Sequence, residues 1–132
     1  MPMQVVLELD MGRLLRSDTV NPRELKWATL VDVLEDELAR LPSNRLGAGE
    51  RSVIAYARLR GHCLTGLDDR LARLLAEDLG LDVIGVVGVL LKGKQVGLVP
   101  LVQPKLDQLQ DKGFRLGTAV YREALRLAGE DF

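Results

Sequence analysis

Between residues 49 and 85 the hydrophobic positions change period three times. Val53, Ile54 and Ala57 share one helical face, and Gly61 stops it. Residues 62–67 then form a short apolar run of strand length, closed by Asp68 and Asp69. Leu71, Leu74, Leu75 and Leu79 return to helical spacing until Gly80. Residues 82–85 (DVIG) read as a second short strand. Two strands joined by a helix make a crossover unit, and that connection predicts a parallel pair.

The same reading extends in both directions. Residues 86–96 predict a helix that starts at a strand end, and residues 100–112 predict an amphipathic one. In the latter, Pro104 suits the first turn, Val102, Leu106 and Leu109 point inward, and Gly113 is the stop. Val120, Tyr121, Ala124, Leu125 and Ala128 mark the apolar face of a last helix. Upstream, Val5, Leu7 and Leu9 alternate as in a strand, while Val5, Val6 and Leu9 equally fit a helix face ended by Gly12. Residues 13–22 predict a loop and β-rich residues 27–33 (WATLVDV) a strand. Residues 34–41 are helical in content and are broken by Pro42-Ser43-Asn44. Short strands alternating with amphipathic helices predict an α/β fold, a three-layer sandwich around a short parallel sheet.

Composition narrows the class. The 132 residues, 47% of them apolar, suffice for one core, so one domain over 1–132 is expected. No repeat, low-complexity tract or linker divides them. Aromatic residues make up 4%, which leaves the core to Leu, Val and Ala. Eighteen basic against nineteen acidic residues give a net charge of −1 and no global attraction to nucleic acid. Cys63 is the only cysteine, which rules out an internal disulfide and predicts a buried thiol. His62 beside it has no zinc-ligand spacing around it. With no signal peptide and no run of eighteen apolar residues, a cytoplasmic protein is expected.

The chemistry lies in where the acids fall. Open parallel sheets bind ligands beyond the carboxyl ends of their strands. Asp68 and Asp69 sit at such an end, and Glu50 in the first turn of the preceding helix. By spacing alone these are helix caps, since Asp is a favoured N-cap and Glu suits the helix dipole. Gly85 and Gly88 lack the rest of a phosphate-loop signature, and close helix–sheet packing is the commoner reason for such glycines. Lys92 and Lys94 read as a solvated face, or else as phosphate contacts.

GERSVIAYA (49–57), LDDRLAR (67–73), VIGVVGVLLKGKQVGLVP (83–100) and VYREALRLAGE (120–130) together resemble a PIN domain. This is the nuclease fold of many prokaryotic toxin–antitoxin systems, and the likeness is to a stand-alone subgroup. The resemblance, carried by residues 48–132, implies a metal-dependent ribonuclease using Mg²⁺ or Mn²⁺. It implies catalytic roles for Glu50 and Asp68, and a metal set of Glu8, Glu50, Asp68 and Asp69. Hard divalent ions take oxygen ligands, and the bound cation offsets repulsion among grouped carboxylates. RNA, an antitoxin-like protein or a second copy of the chain are the implied partners, with a homo-oligomer as the implied state and no membrane.

At the N-terminus the chain departs from that family. A PIN domain opens on a strand ending in a metal-binding Asp, and a second acid, normally Glu, follows well before the Gly-Glu motif. Only 49 residues precede Glu50 here. Aligned with the family's Val-x-x-Glu-Leu segment, residues 3–13 make Glu8 the second acid and leave the first strand missing. Aligned instead as the first strand, they make Asp10 its acid. The former is favoured because it puts residues 27–33 where a later strand belongs. Val86 also stands where the family carries Thr. Both departures imply impaired turnover, and with it an alternative function as a non-catalytic module that binds nucleic acid or protein.

Overall fold

The computed structural model describes residues 1–42 and 45–131. Among these the chain forms seven α-helices and one two-stranded parallel sheet, an α/β fold. It divides into two compact units, Met1–Val83 and Ile84–Phe132. No helix among the described residues is long and apolar enough to cross a membrane.

The first unit is built on α3 (Ala48–Arg60). Its buried Ile54 and Ala55 meet Leu67, Ala72 and Ala76 on one side of the chain and Val33, Leu41 and Leu46 on the other. Burying an isoleucine side chain fully, as Ile54 is, contributes about 1.5–3 kcal/mol. Gly61 ends the helix at φ 81°, a left-handed conformation that a side chain would strain. The predicted crossover follows: β1 (Leu64–Gly66), α4 (Arg70–Asp78) and β2 (Asp82–Ile84), with β1 beside β2. Both strands are three residues long, shorter than the predicted runs.

The N-terminal alternatives resolve in favour of a helix. Residues 3–15 form α1 (Met3–Leu15), which packs on α3 and buries Val6, so Gly12 does not stop it. Asp10 therefore ends no strand. Its carboxylate accepts hydrogen bonds from Arg13 and Arg23, tying α1 to the 3₁₀ turn Pro22–Glu24. The Arg23 bond above all, then Arg13, against some desolvation, holds this carboxyl at about 2.

Two further expectations, the strand over 27–33 and the buried Cys63 thiol, need correction. Residues 27–33 are not a strand: one parallel bridge, Pro2 to Val31, is all that forms. Val31 N–H donates to Met1 O and Met3 N–H to Val31 O, but α1 then removes the partner chain and Pro2 has no N–H. The predicted helix over residues 71–79 forms as α4, and alanines are its buried residues. Ala72 and Ala76 are buried, whereas Leu71 and Leu74 are about half exposed. Cys63 is half-buried. The residues 34–41 helix shrinks to α2 (Glu35–Ala39), and of its predicted break Ser43 and Asn44 lie outside the described residues.

The second unit holds α5 (Val86–Gln95), α6 (Gln103–Asp111) and α7 (Thr118–Leu127). Val102, Leu106, Ala124 and Leu125 are its buried core. Val120 departs from the predicted α7 face and is half exposed. Gly88 is a packing glycine, since a Cβ there would come within 2.8 Å of Ile84 Cγ1. Glu130 fastens the unit. Its carboxylate accepts from the Lys94 ammonium at 2.8 Å and from the N–H groups of Val102 and Gln103 at 2.8 and 3.0 Å. Burial alone would raise this carboxyl, but those donors outweigh it and hold it at about 2. Lys94 is thus engaged within the unit rather than offered to phosphate.

Candidate functional site

Three short stretches of the first unit meet in one cleft of 240 Å³. Glu8 comes from the middle of α1, Glu50 from the first turn of α3, and Asp68 and Asp69 from the turn after β1. All four acids expected from the sequence therefore line the same cleft, with Val5, Gly49, Val53, Gly66 and Leu67 between them.

The helix start of α3 explains two of the placements. Gly47 N–H donates to Glu50 Oε2 at 2.8 Å, a backward cap within one turn. Gly49 N–H donates to Glu8 Oε1 at 2.9 Å, across 41 positions of sequence. The carboxylates are neighbours: a Cβ on Gly47 would lie 3.2 Å from Glu50 Oε2 and 3.8 Å from Glu8 Oε1. A Cβ on buried Gly49 would run into the Glu8 carboxylate, 2.9 Å from its Cδ. Only glycine lets α1 bring an acid so close to the α3 backbone. The α3 N-terminus, with its outward N–H groups, favours both negative charges.

The other two acids differ from each other. Asp69 is the N-cap of α4, its Oδ2 accepting from Ala72 N–H at 2.9 Å. Asp68, exposed and one residue earlier, lies on the cleft wall. The carboxylates of Glu8, Glu50 and Asp69 each accept from a backbone N–H, and for Glu50 and Asp69 this is the capping role that their spacing implied.

The donor set, oxygen throughout, suits a hard divalent cation. Among the described residues no three His, Cys, Asp or Glu side chains stand close enough to hold one metal ion. Ion binding would require these carboxylates to converge further, and since each cap bond uses one carboxylate oxygen, the other is left to turn toward a metal. Asp10 does not line the cleft; it is paired with Arg13 of α1 and with Arg23 of the 3₁₀ turn.

Sequence reasoning overlooked the glycine that shapes the cleft and the hydroxyl that adjoins it. In the sequence Gly49 is one residue of the GERSVIAYA motif, and its contact with Glu8 carries no periodic signal. Thr65, the one hydroxyl in the run CLTGL, is buried at 3% exposure, and its Oγ1 has no hydrogen-bond partner. A polar residue centred in an apolar strand is the signal that would have singled it out.

A family model, DUF3368, described as a PIN domain, matches residues 1–130. The match thus takes in α1 as well as the motifs after residue 48. No curated protein and no solved structure matches the chain.

Proposed function

Because the chain belongs to the PIN-domain family, a family of nucleases, we propose that it is a divalent-metal-dependent ribonuclease with low turnover on its own. The observation that carries this reading is the meeting of Glu8, Glu50, Asp68 and Asp69 in one cleft from three separate parts of the chain. Glu50 and Asp68 are the proposed catalytic pair, with Glu8 and Asp69 completing the oxygen donors around Mg²⁺ or Mn²⁺. When bound, such an ion supplies Lewis-acid polarisation of a phosphoryl oxygen and a water acidic enough to attack it. The chain's own part is to hold the donors in place. Gly49 and the α3 N-terminus fix Glu8 and Glu50, and the α4 cap fixes Asp69 beside Asp68.

Low turnover follows from the same geometry. The acids line one cleft, but among the described residues no three converge on a point, so they must move together before they share an ion, and that rearrangement weakens affinity. The test is cleavage of single-stranded RNA with added Mn²⁺, by the parent chain and by Glu50→Gln and Asp68→Asn. Slow cleavage is expected, abolished by chelator and reduced at least about tenfold by either substitution. Cleavage that survives both substitutions would place the site elsewhere.

A second reading, a binding module without turnover, is favoured by the absence of three converging metal donors among the described residues. Under it the parent binds RNA or a protein partner but releases no cleavage product at any Mn²⁺ concentration. The toxin role belongs to the first reading: induction of the parent should arrest growth, and Glu50→Gln should not.

A further inference from the structure

The LDDRLAR motif carries two residues that the acid cleft does not use, Arg70 and Arg73. Arg70 is the first residue of α4 and directly follows Asp69, the N-cap that lines the cleft. Arg73 stands one turn further along, over Asp69, and its N–H donates to Asp69 O at 2.9 Å. Both side chains are exposed. Two guanidinium groups are thus carried on the helix start that borders the cleft at Asp69.

Helix stability does not explain their position. The first turn of a helix favours acids, and a cation there meets the positive end of the helix dipole. The first turn of α4 nevertheless holds no acid, and arginines are its first and fourth residues. Ion pairing does not explain the position either. Asp69 and Arg73 are four apart, the spacing of a helical ion pair, but the Asp69 carboxylate accepts from Ala72 N–H instead. Elsewhere in the first unit Arg13, Arg16, Arg23 and Arg40 are in ion pairs, and Arg51 donates to Leu38 O. Arg70 and Arg73 have no such acceptor among the described residues. Arg58 and Arg60 have none either, but they lie in the last turn of α3, where the dipole favours cations.

We propose that Arg70 and Arg73 form a phosphate clamp, which holds the backbone of a single-stranded RNA beside the acid cleft. Guanidinium groups bind phosphate oxygens through paired N–H donors. The two are three positions apart on α4, with Cβ atoms about 5–6 Å from each other, so each can take one of two neighbouring phosphates. The cleft lining itself has four acids and no base, so these are the cations that offset repulsion of a polyanion at its edge. Held at α4, the strand has its next phosphates beside Asp68 and Asp69. The inference rests on RNA as the ligand of the cleft, and does not depend on turnover there.

The test is fluorescence anisotropy of a labelled single-stranded RNA with the full chain in Mn²⁺, over a range of sodium chloride. Arg70→Gln and Arg73→Gln together should weaken binding roughly tenfold or more, as loss of charged hydrogen bonds does. The slope of log affinity against log salt should become shallower by about 1.4, the value for two phosphate contacts on a single strand. Arg70→Lys with Arg73→Lys should restore most of that slope, because the charge remains. Arg58→Gln with Arg60→Gln should bind as the parent does. The melting temperature of the first variant should not fall, since it relieves positive charge at the α4 start. If that variant keeps the parent's affinity and salt slope, the proposal is overturned, even where cleavage proves the cleft a nuclease site. An equal loss in the Arg58, Arg60 variant would overturn it too. A parent that binds through Arg70 and Arg73 but never cleaves would overturn the ribonuclease reading and leave the clamp standing. A parent that binds no RNA in Mn²⁺ would overturn both.

Discussion

The α3 start shows what a single methyl group would decide. Gly49 is helical and buried, and alanine in such a position ordinarily stabilises a helix by about 1 kcal/mol. Here the added Cβ would meet the Glu8 carboxylate, so the sign should reverse. Gly49→Ala is expected to destabilise the protein by about 1–3 kcal/mol, as overpacking does. In a Glu8→Ala background the same change should be neutral or stabilising, and thermal melts of the four-member cycle measure the difference. An equal cost in both backgrounds would show that Glu8 is not what Gly49 accommodates. The acids of this site were readable to different depths. Glu50 and Asp69 announce themselves as caps, because their partners lie within one turn. Glu8 could be found only through resemblance, since its partner lies 41 positions away and no local period connects them.

At the scale of elements, Glu130 joins the end of α7 to the start of α6 and to Lys94 on α5. Its folded carboxyl lies near 2, below its ordinary 4.5, so it binds a proton less readily folded than unfolded. The stabilisation is therefore complete above about pH 4.5 and is lost as pH falls toward 2. Glu130→Gln should cost roughly 2 kcal/mol at neutral pH, with the Lys94 pair lost and two amide donors less well served. It should also flatten the acid limb of the stability curve between pH 4.5 and 2. An unchanged acid limb in urea melts would mean that another carboxylate governs it. Nothing in the residues 120–130 pattern marked Glu130 as buried, because a charged residue past a helix end reads as solvent-facing. Element type was far easier to read than element orientation. The periods around Ile54, Leu106 and Ala124 show which stretches are helical, yet α4 turns Ala72 and Ala76 inward and leaves Leu71 and Leu74 out. Residues 27–33 have strand propensity but only Pro2 to pair with, so propensity is overridden by the lack of a partner.

Across the whole molecule charge nearly cancels, at −1, while four carboxylates are concentrated in a single cleft. A polyanion approaching that cleft meets repulsion that no net positive charge offsets. RNA affinity should therefore depend on the divalent ion first and on monovalent salt second, the reverse of a basic-patch protein. With chelator, binding to a short single-stranded RNA should be undetectable at micromolar chain. Added Mn²⁺ should bring it into range, because the ion supplies the positive charge that the cleft lining lacks. The Glu50→Gln, Asp68→Asn double variant separates this from a general ionic effect. With two acids neutralised, it should bind RNA in chelator better than the parent does, and should gain little from Mn²⁺. Fluorescence anisotropy of a labelled RNA, titrated with and without Mn²⁺, measures both. Parent binding that is strong in chelator and falls steeply with sodium chloride would instead locate the RNA on a basic surface away from the acids. The cleft would then no longer be where RNA is held.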